Sequence, residues 1–207
     1  MTGYHSIRLE KGQRRPRFHP NSNAYDYLTL KAEWLVQRLL LREVGEHVFR
    51  TERMLRYTDV RDGPSEERYR ELDAVLGHRP WRVIEIKTSV KNMLGQAIKQ
   101  AQQSRAIMER RWDGISVAGV WVDSSVLRGG TNSGFELASP REAMRLLVRP
   151  GAEEVRVRID IEELLWVGEE QGLIEDPEYL LDRAQDALDE MLPGSALGGD
   201  CLRLVYF

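Results

Sequence analysis

Apolar residues recur along this chain with two periods, and the switches between them predict the order of elements. From Asn23 to about Val44, the residues Tyr27, Leu28, Leu30, Trp34, Leu35, Leu39 and Leu40 fall on one stripe of a helix, and Gly45 supplies a stop. His47 to about Asp59 reads as a bent strand, followed by turn chemistry at Asp62-Gly63-Pro64-Ser65. Residues 69–88 read as a hairpin of two apolar strands. Asn92 to about Arg111 is filled with strong helix formers. Ile115 to Asp123 alternates as a strand, and residues 128–136 form a glycine-rich connector. Ser139-Pro140-Arg141-Glu142 is a capping box with proline at the first helical position, so a short helix is expected to about Val148. Glu154 to Ile161 alternates again. Asp176 to Met191 makes an amphipathic acidic helix, and Cys201 to Phe207 a short final strand. Residues 1–22, broken by Gly12, Pro16 and Pro20, are expected to form an irregular basic arm. The order over residues 23–124 is therefore α-β-β-β-α-β. It predicts an α/β or α+β core, with 125–207 as a C-terminal α/β extension packing on that core.

The hairpin carries the candidate chemistry. A strand sends residues i and i+2 to one face, so Glu85 and Lys87 point together while Ile84 and Ile86 point to the opposite, buried face. If Asp73 lies opposite Glu85, position 75 faces 83, position 77 faces 81, and 78–80 form a three-residue loop of common length. Two carboxylates and one ammonium then share a small patch. Adjacent carboxylates repel unless a cation neutralises them. Their oxygens suit a hard divalent ion such as Mg²⁺, which usually takes only one or two carboxylates from a protein. Such an ion can polarise a phosphate and acidify water, and a lysine beside it can orient the attacking water or stabilise charge on phosphate. The carbonyl of Ile86 is a further candidate ligand. A surface ion pair in an ordinary α+β domain is the plain alternative for the same three residues.

Composition narrows the context. The chain has 207 residues, 42% of them hydrophobic, enough for one domain with a real core. No apolar run approaches the ~18 residues of a membrane span, and the first twenty residues lack an apolar signal core. A soluble, cytoplasmic protein is the expectation. Cys201 is the single cysteine, which excludes internal disulfides and cysteine-ligated clusters. The four histidines (His5, His19, His47, His78) lack zinc-ligand spacing. Residues 153–190 hold fourteen acids against three arginines, whereas the N-terminal arm and the helix near 91–111 are basic. Such polarity steers a polyanion to one side, or is simply a mixed-sign solvated surface. Trp34, Trp112, Trp121 and Trp166 fall in apolar patterns and are expected in the core.

With Asp in Glu-Leu-Asp-Ala-Val and Glu-x-Lys in Val-Ile-Glu-Ile-Lys-Thr, in this order of elements, residues 23–124 resemble the PD-(D/E)XK nuclease superfamily. Lys31-Ala32-Glu33-Trp34 is similar to the Ala-Glu pair on the first helix of Holliday-junction-resolvase-like branches, which implies Glu33 as a third carboxylate and metal ligand. RecB-like branches carry Gln-x-x-x-Tyr on the second helix. Here Gln96 is kept and Gln100 stands in place of the tyrosine. Leu72 replaces the proline of the family name. The resemblance implies a restriction-endonuclease-like fold with a mixed central sheet, and hydrolysis of DNA with Mg²⁺ or Mn²⁺ held by Asp73, Glu85, Ile86 and Glu33. It implies Lys87 and Gln96 as catalytic companions. It also admits a catalytically inactive nuclease-fold module that binds DNA or assembles with other proteins. Arg14, Arg15, Arg17, Lys91, Lys99 and Gln100 are the candidate DNA contacts, each equally explicable as a solvated side chain. A homodimer is a further possibility, since enzymes that cut both strands are often symmetric.

Overall fold

The computed structural model describes residues 3–11, 22–60, 64–130 and 136–191. Over these it is a mixed α/β protein with two sheets and five α-helices. The smaller sheet is antiparallel, in the order β1 (Tyr4–Glu10), β2 (Met54–Asp59), β3 (Glu66–Glu71). The larger sheet runs β4 (Ala74–Leu76), β5 (Arg82–Ser89), β6 (Ser116–Asp123), β7 (Glu154–Asp160). Its β4–β5 pair is antiparallel and its other pairs are parallel. The helices are α1 (Ala24–Val44), α2 (Leu94–Met108), α3 (Pro140–Val148), α4 (Ile161–Glu170) and α5 (Pro177–Glu190).

The alternation of β5 sorts the layers. Ile84 and Ile86 enter a core with Leu35, Leu39 and Leu40 of α1, Met144 of α3, Leu165 of α4 and Leu188 of α5. Val83, on the other face, joins Ile107 and Met108 of α2 and Leu55 of the small sheet. The large sheet is thus sandwiched, with α1, α3, α4 and α5 on one side and α2 plus the small sheet on the other. Residues beyond 124 supply the edge strand β7 and three of the helices over the sheet. Among the described residues, no helix is long and apolar enough to cross a membrane.

Several boundaries differ from the sequence-based expectation. Residues 4–10 form β1 rather than irregular chain. A bulge between His5 and Arg8, with Ser6 at φ 51°, breaks the alternation that would have revealed the strand. The remainder of the arm, including Arg14, Arg15 and Arg17, lies outside the described residues, as does the expected strand 201–207. Helix α4 was not expected. It starts without a connector, because Asp160 both ends β7 and caps the helix, accepting from the N–H groups of Glu162 (2.9 Å) and Glu163 (3.2 Å). Trp166 on α4 is exposed rather than core, whereas Trp121 is buried. A 3₁₀ turn at Ser125–Arg128 precedes the glycine-rich connector.

Capping at α3 matches the sequence expectation in its Ser139 half, without a return bond from the Glu142 side chain. Ser139 accepts from the Glu142 N–H at 3.3 Å, and Pro140 occupies the first turn. Ser139→Ala is expected to lower stability by about 1 kcal/mol, read as a shift in the urea midpoint at unchanged slope.

Candidate active site

The expected hairpin register is the observed one. Ala74 lies opposite Ile84, Val75 opposite Val83 and Leu76 opposite Arg82, which sets Asp73 against Glu85. What sequence did not reveal is that the Asp73 strand serves two sheets. Met54 pairs with Glu71 on one side of a break and Phe49 with Leu76 on the other, in unchanged register. The expected strand 47–59 is therefore paired at both ends and bent in the middle. At the bend Leu72 still donates to the Arg53 carbonyl (2.9 Å), so it follows the small sheet away from β5. The Ile86 N–H is thereby left without a strand partner, and the carboxylate of Asp73 accepts from it at 2.7 Å. Backbone N–H and C=O of one strand residue point to the same side, so the Ile86 carbonyl also faces the Asp73 side of β5.

Asp73 and Glu85 are both buried, 7% and 4% exposed. The Asp73 carboxylate lies close enough to Glu85 for its negative charge to disfavour ionisation of the Glu85 carboxyl. One oxygen of Glu85, Oε1, is buried with no hydrogen-bond partner. Burial first, and the negative charge of Asp73 second, push the Glu85 carboxyl up to about 8, against the opposing pull of Lys87 and Arg70. Lys87 follows on the same strand face and is half-buried. The donor set fits a divalent cation: two carboxylates, one with an orphaned oxygen, and a main-chain carbonyl on the same side. A bound cation would displace the proton and supply the missing partner of Oε1.

Two arginines that sequence reasoning missed frame this pair. Arg53 donates to the Asp73 carbonyl. Arg70 reaches the Gln100 carbonyl (3.0 Å) and the Gln103 side chain (3.3 Å), which ties β3 to α2 beside Glu85. Neither has a local signature, because both act through a fold-level convergence. Gly119 is a third such residue. It neighbours Glu85 on β6, and α2 lies close over it. A Cβ there would stand 2.8 Å from Ile98 Cγ1 and 3.1 Å from the Ile98 backbone nitrogen. Gly119→Ala is expected to cost about 1–3 kcal/mol by lifting α2, measured as a lower Tm than wild type.

The remaining expected site residues divide. Gln100 is half-buried on the α2 face that meets Arg70, and Gln96 lies one turn earlier on that face, exposed. Lys91 and Lys99 are exposed, Lys91 just past the end of β5 and Lys99 on α2. The Ser89 hydroxyl accepts from the Lys91 N–H at 3.1 Å, closing a turn after β5. Thr88 instead buries a hydroxyl without a partner. Glu33 is half-buried on α1. Tyr25 of that helix meets Ser124 (3.0 Å) and Val90 at the ends of β6 and β5. Glu33 lies eight residues further along the helix, about 12 Å. It belongs to the helix covering the opposite sheet face from Glu85. Among the described residues, no three His, Cys, Asp or Glu side chains converge as a metal-binding group, so Glu33 is not joined to the Asp73–Glu85 pair.

No family model matches the chain, and neither does any curated protein or solved structure.

Proposed function

We propose that the protein is a metal-dependent DNA nuclease of the PD-(D/E)XK type. The observation that carries this reading is the buried Asp73–Glu85 pair with its unpartnered Glu85 oxygen, Lys87 two residues on along the same strand face. Asp73, Glu85 and the Ile86 carbonyl hold Mg²⁺ or Mn²⁺. When bound, the cation supplies Lewis acidity toward the scissile phosphate and lowers the pKa of water. The chain's own residues do the rest. The Ile86 N–H fixes the Asp73 carboxylate at 2.7 Å, which keeps one oxygen oriented before any ligand arrives. Arg70 and Lys87 offset the charge of the two acids, which keeps the pair compatible with an approaching phosphate. Lys87 orients the nucleophilic water and stabilises charge building on the phosphate. Gln96, exposed on the α2 face that meets Arg70, and Lys91 and Lys99 contact the DNA strand.

The deep burial of both carboxylates favours a second reading, a nuclease-fold module that binds DNA without cutting it. Incubation with linear, single-stranded and branched DNA separates the two. Cleavage in Mg²⁺ or Mn²⁺ that EDTA abolishes supports the nuclease. Tight binding without cleavage, and without any effect of metal on thermal stability, supports the module.

A further inference from the structure

A cleft of about 530 Å³ adjoins the Asp73 strand on the α1 side. Trp34, Gln37 and Arg38 line it from one face of α1, at helical spacing. Phe49, Thr51 and Arg53, alternate residues of the segment that pairs with the outer edge of β4, line the facing wall. Arg53 joins the cleft to the candidate active site, because its guanidinium donates to the Asp73 carbonyl.

Gln37 is the informative residue. It is 7% exposed, lines the cleft, and makes no hydrogen bond to any other described residue. Neither of its amide atoms is buried without a partner, so the amide opens onto the cleft and is offered to whatever occupies it. An amide offers two N–H donors and one acceptor side by side, which matches the edge of a nucleobase. Trp34 and Phe49 bring aromatic surface to the same space, the feature on which unpaired bases stack. The surroundings suit the attached phosphates. Lys31 Nζ lies 4.4 Å and the Arg38 guanidinium 5.3 Å from the Trp34 ring centroid. Against these cations and Arg53, the lining holds one acid, the exposed Glu46.

We infer that this cleft holds one unpaired nucleobase of the DNA strand presented to the Asp73–Glu85 site, with Gln37 reading its edge, Phe49 stacking on its face and the cation-capped Trp34 forming the wall beside it. The inference rests on the nucleic-acid reading above. It deepens that reading by naming the substrate class: a single strand, a frayed end or a branch point rather than an intact duplex.

Binding in EDTA tests it without cleavage. A fluorescent single strand of about ten nucleotides is titrated by anisotropy with wild type, Gln37→Leu and Phe49→Leu, and the titration is repeated with an abasic site at each position in turn. The expected result is about tenfold weaker binding for each variant, the scale of one lost stacked base. One abasic position should weaken wild type equally and weaken the variants no further. Variants that fold, by circular dichroism, and bind the intact strand like wild type would overturn the inference. So would a wild type indifferent to every abasic site. Gln37-dependent binding without metal-dependent cleavage leaves the cleft and removes the nuclease; cleavage without Gln37 dependence does the reverse. Both variants are conservative in volume, and Phe49 is only half-buried, so at least one is expected to fold.

Discussion

Lys87→Ala is expected to slow metal-dependent DNA cleavage by about 10²–10⁴-fold while leaving the fold intact. The range is that of a lost proton-transfer or charge-stabilising group. Lys87 is half-buried at the exposed end of β5, so shortening it leaves no cavity in either core. Removing the ammonium also removes one of the two cations that hold down the Glu85 proton affinity, so the variant should need a higher pH for the cleavage it retains. Single-turnover cleavage with protein in excess, from pH 6 to 9, reads both effects. A variant as fast as wild type at every pH would remove Lys87 from the mechanism. Lys87→Arg is expected to recover only part of the rate, because a broad guanidinium cannot occupy the place of a compact ammonium.

The second large effect concerns stability. Glu85 is held protonated to about pH 8 in the folded protein but ionises near its ordinary value of 4.5 when unfolded. A raised carboxyl pKa means that the folded state binds the extra proton. The associated stability is complete below about pH 4.5 and is lost as pH climbs through 8, at roughly 1.4 kcal/mol per pH unit. Glu85→Gln keeps the neutral shape and cannot ionise. In EDTA it should therefore match wild type near pH 4.5 and exceed it by up to about 4 kcal/mol at pH 8–9. Urea denaturation at those pH values measures the difference. Excess Mg²⁺ should stabilise wild type and do so more strongly as pH rises, because binding must displace the proton. Equal stability of the two proteins at pH 9 would show that Glu85 is not a buried, proton-holding acid.

Much of the site was legible because its parts are local. Apolar alternation on both strands and a loop of fixed length leave one sensible register between residues 73 and 85, and that register is the one found. Helices α1, α2, α3 and α5 follow from stripes, caps and formers that need no partner to be read. The misses are of another kind. Strand β1 hides behind a bulge, and α4 begins on the residue that ends β7, so neither has the punctuation that sequence reading uses. The face of the sheet on which α1 packs is a tertiary choice, which is why Glu33 could be named from a resemblance but not located. Arg53, Arg70 and Gly119 owe their roles to elements far away in sequence. Gln37 looks like any polar helix residue until the segment 48–53 closes over it.

The divergence at Leu72–Asp73 ties two events together. One main chain feeds both sheets, and the Asp73 carboxylate stands in for the ladder bond that β5 loses where they part. A molecule whose small sheet has come away from the large one still keeps its central strands, but it has no anchored acid at position 73. If the proposed cleavage depends on that anchor, activity is expected to be lost on warming before the large sheet melts.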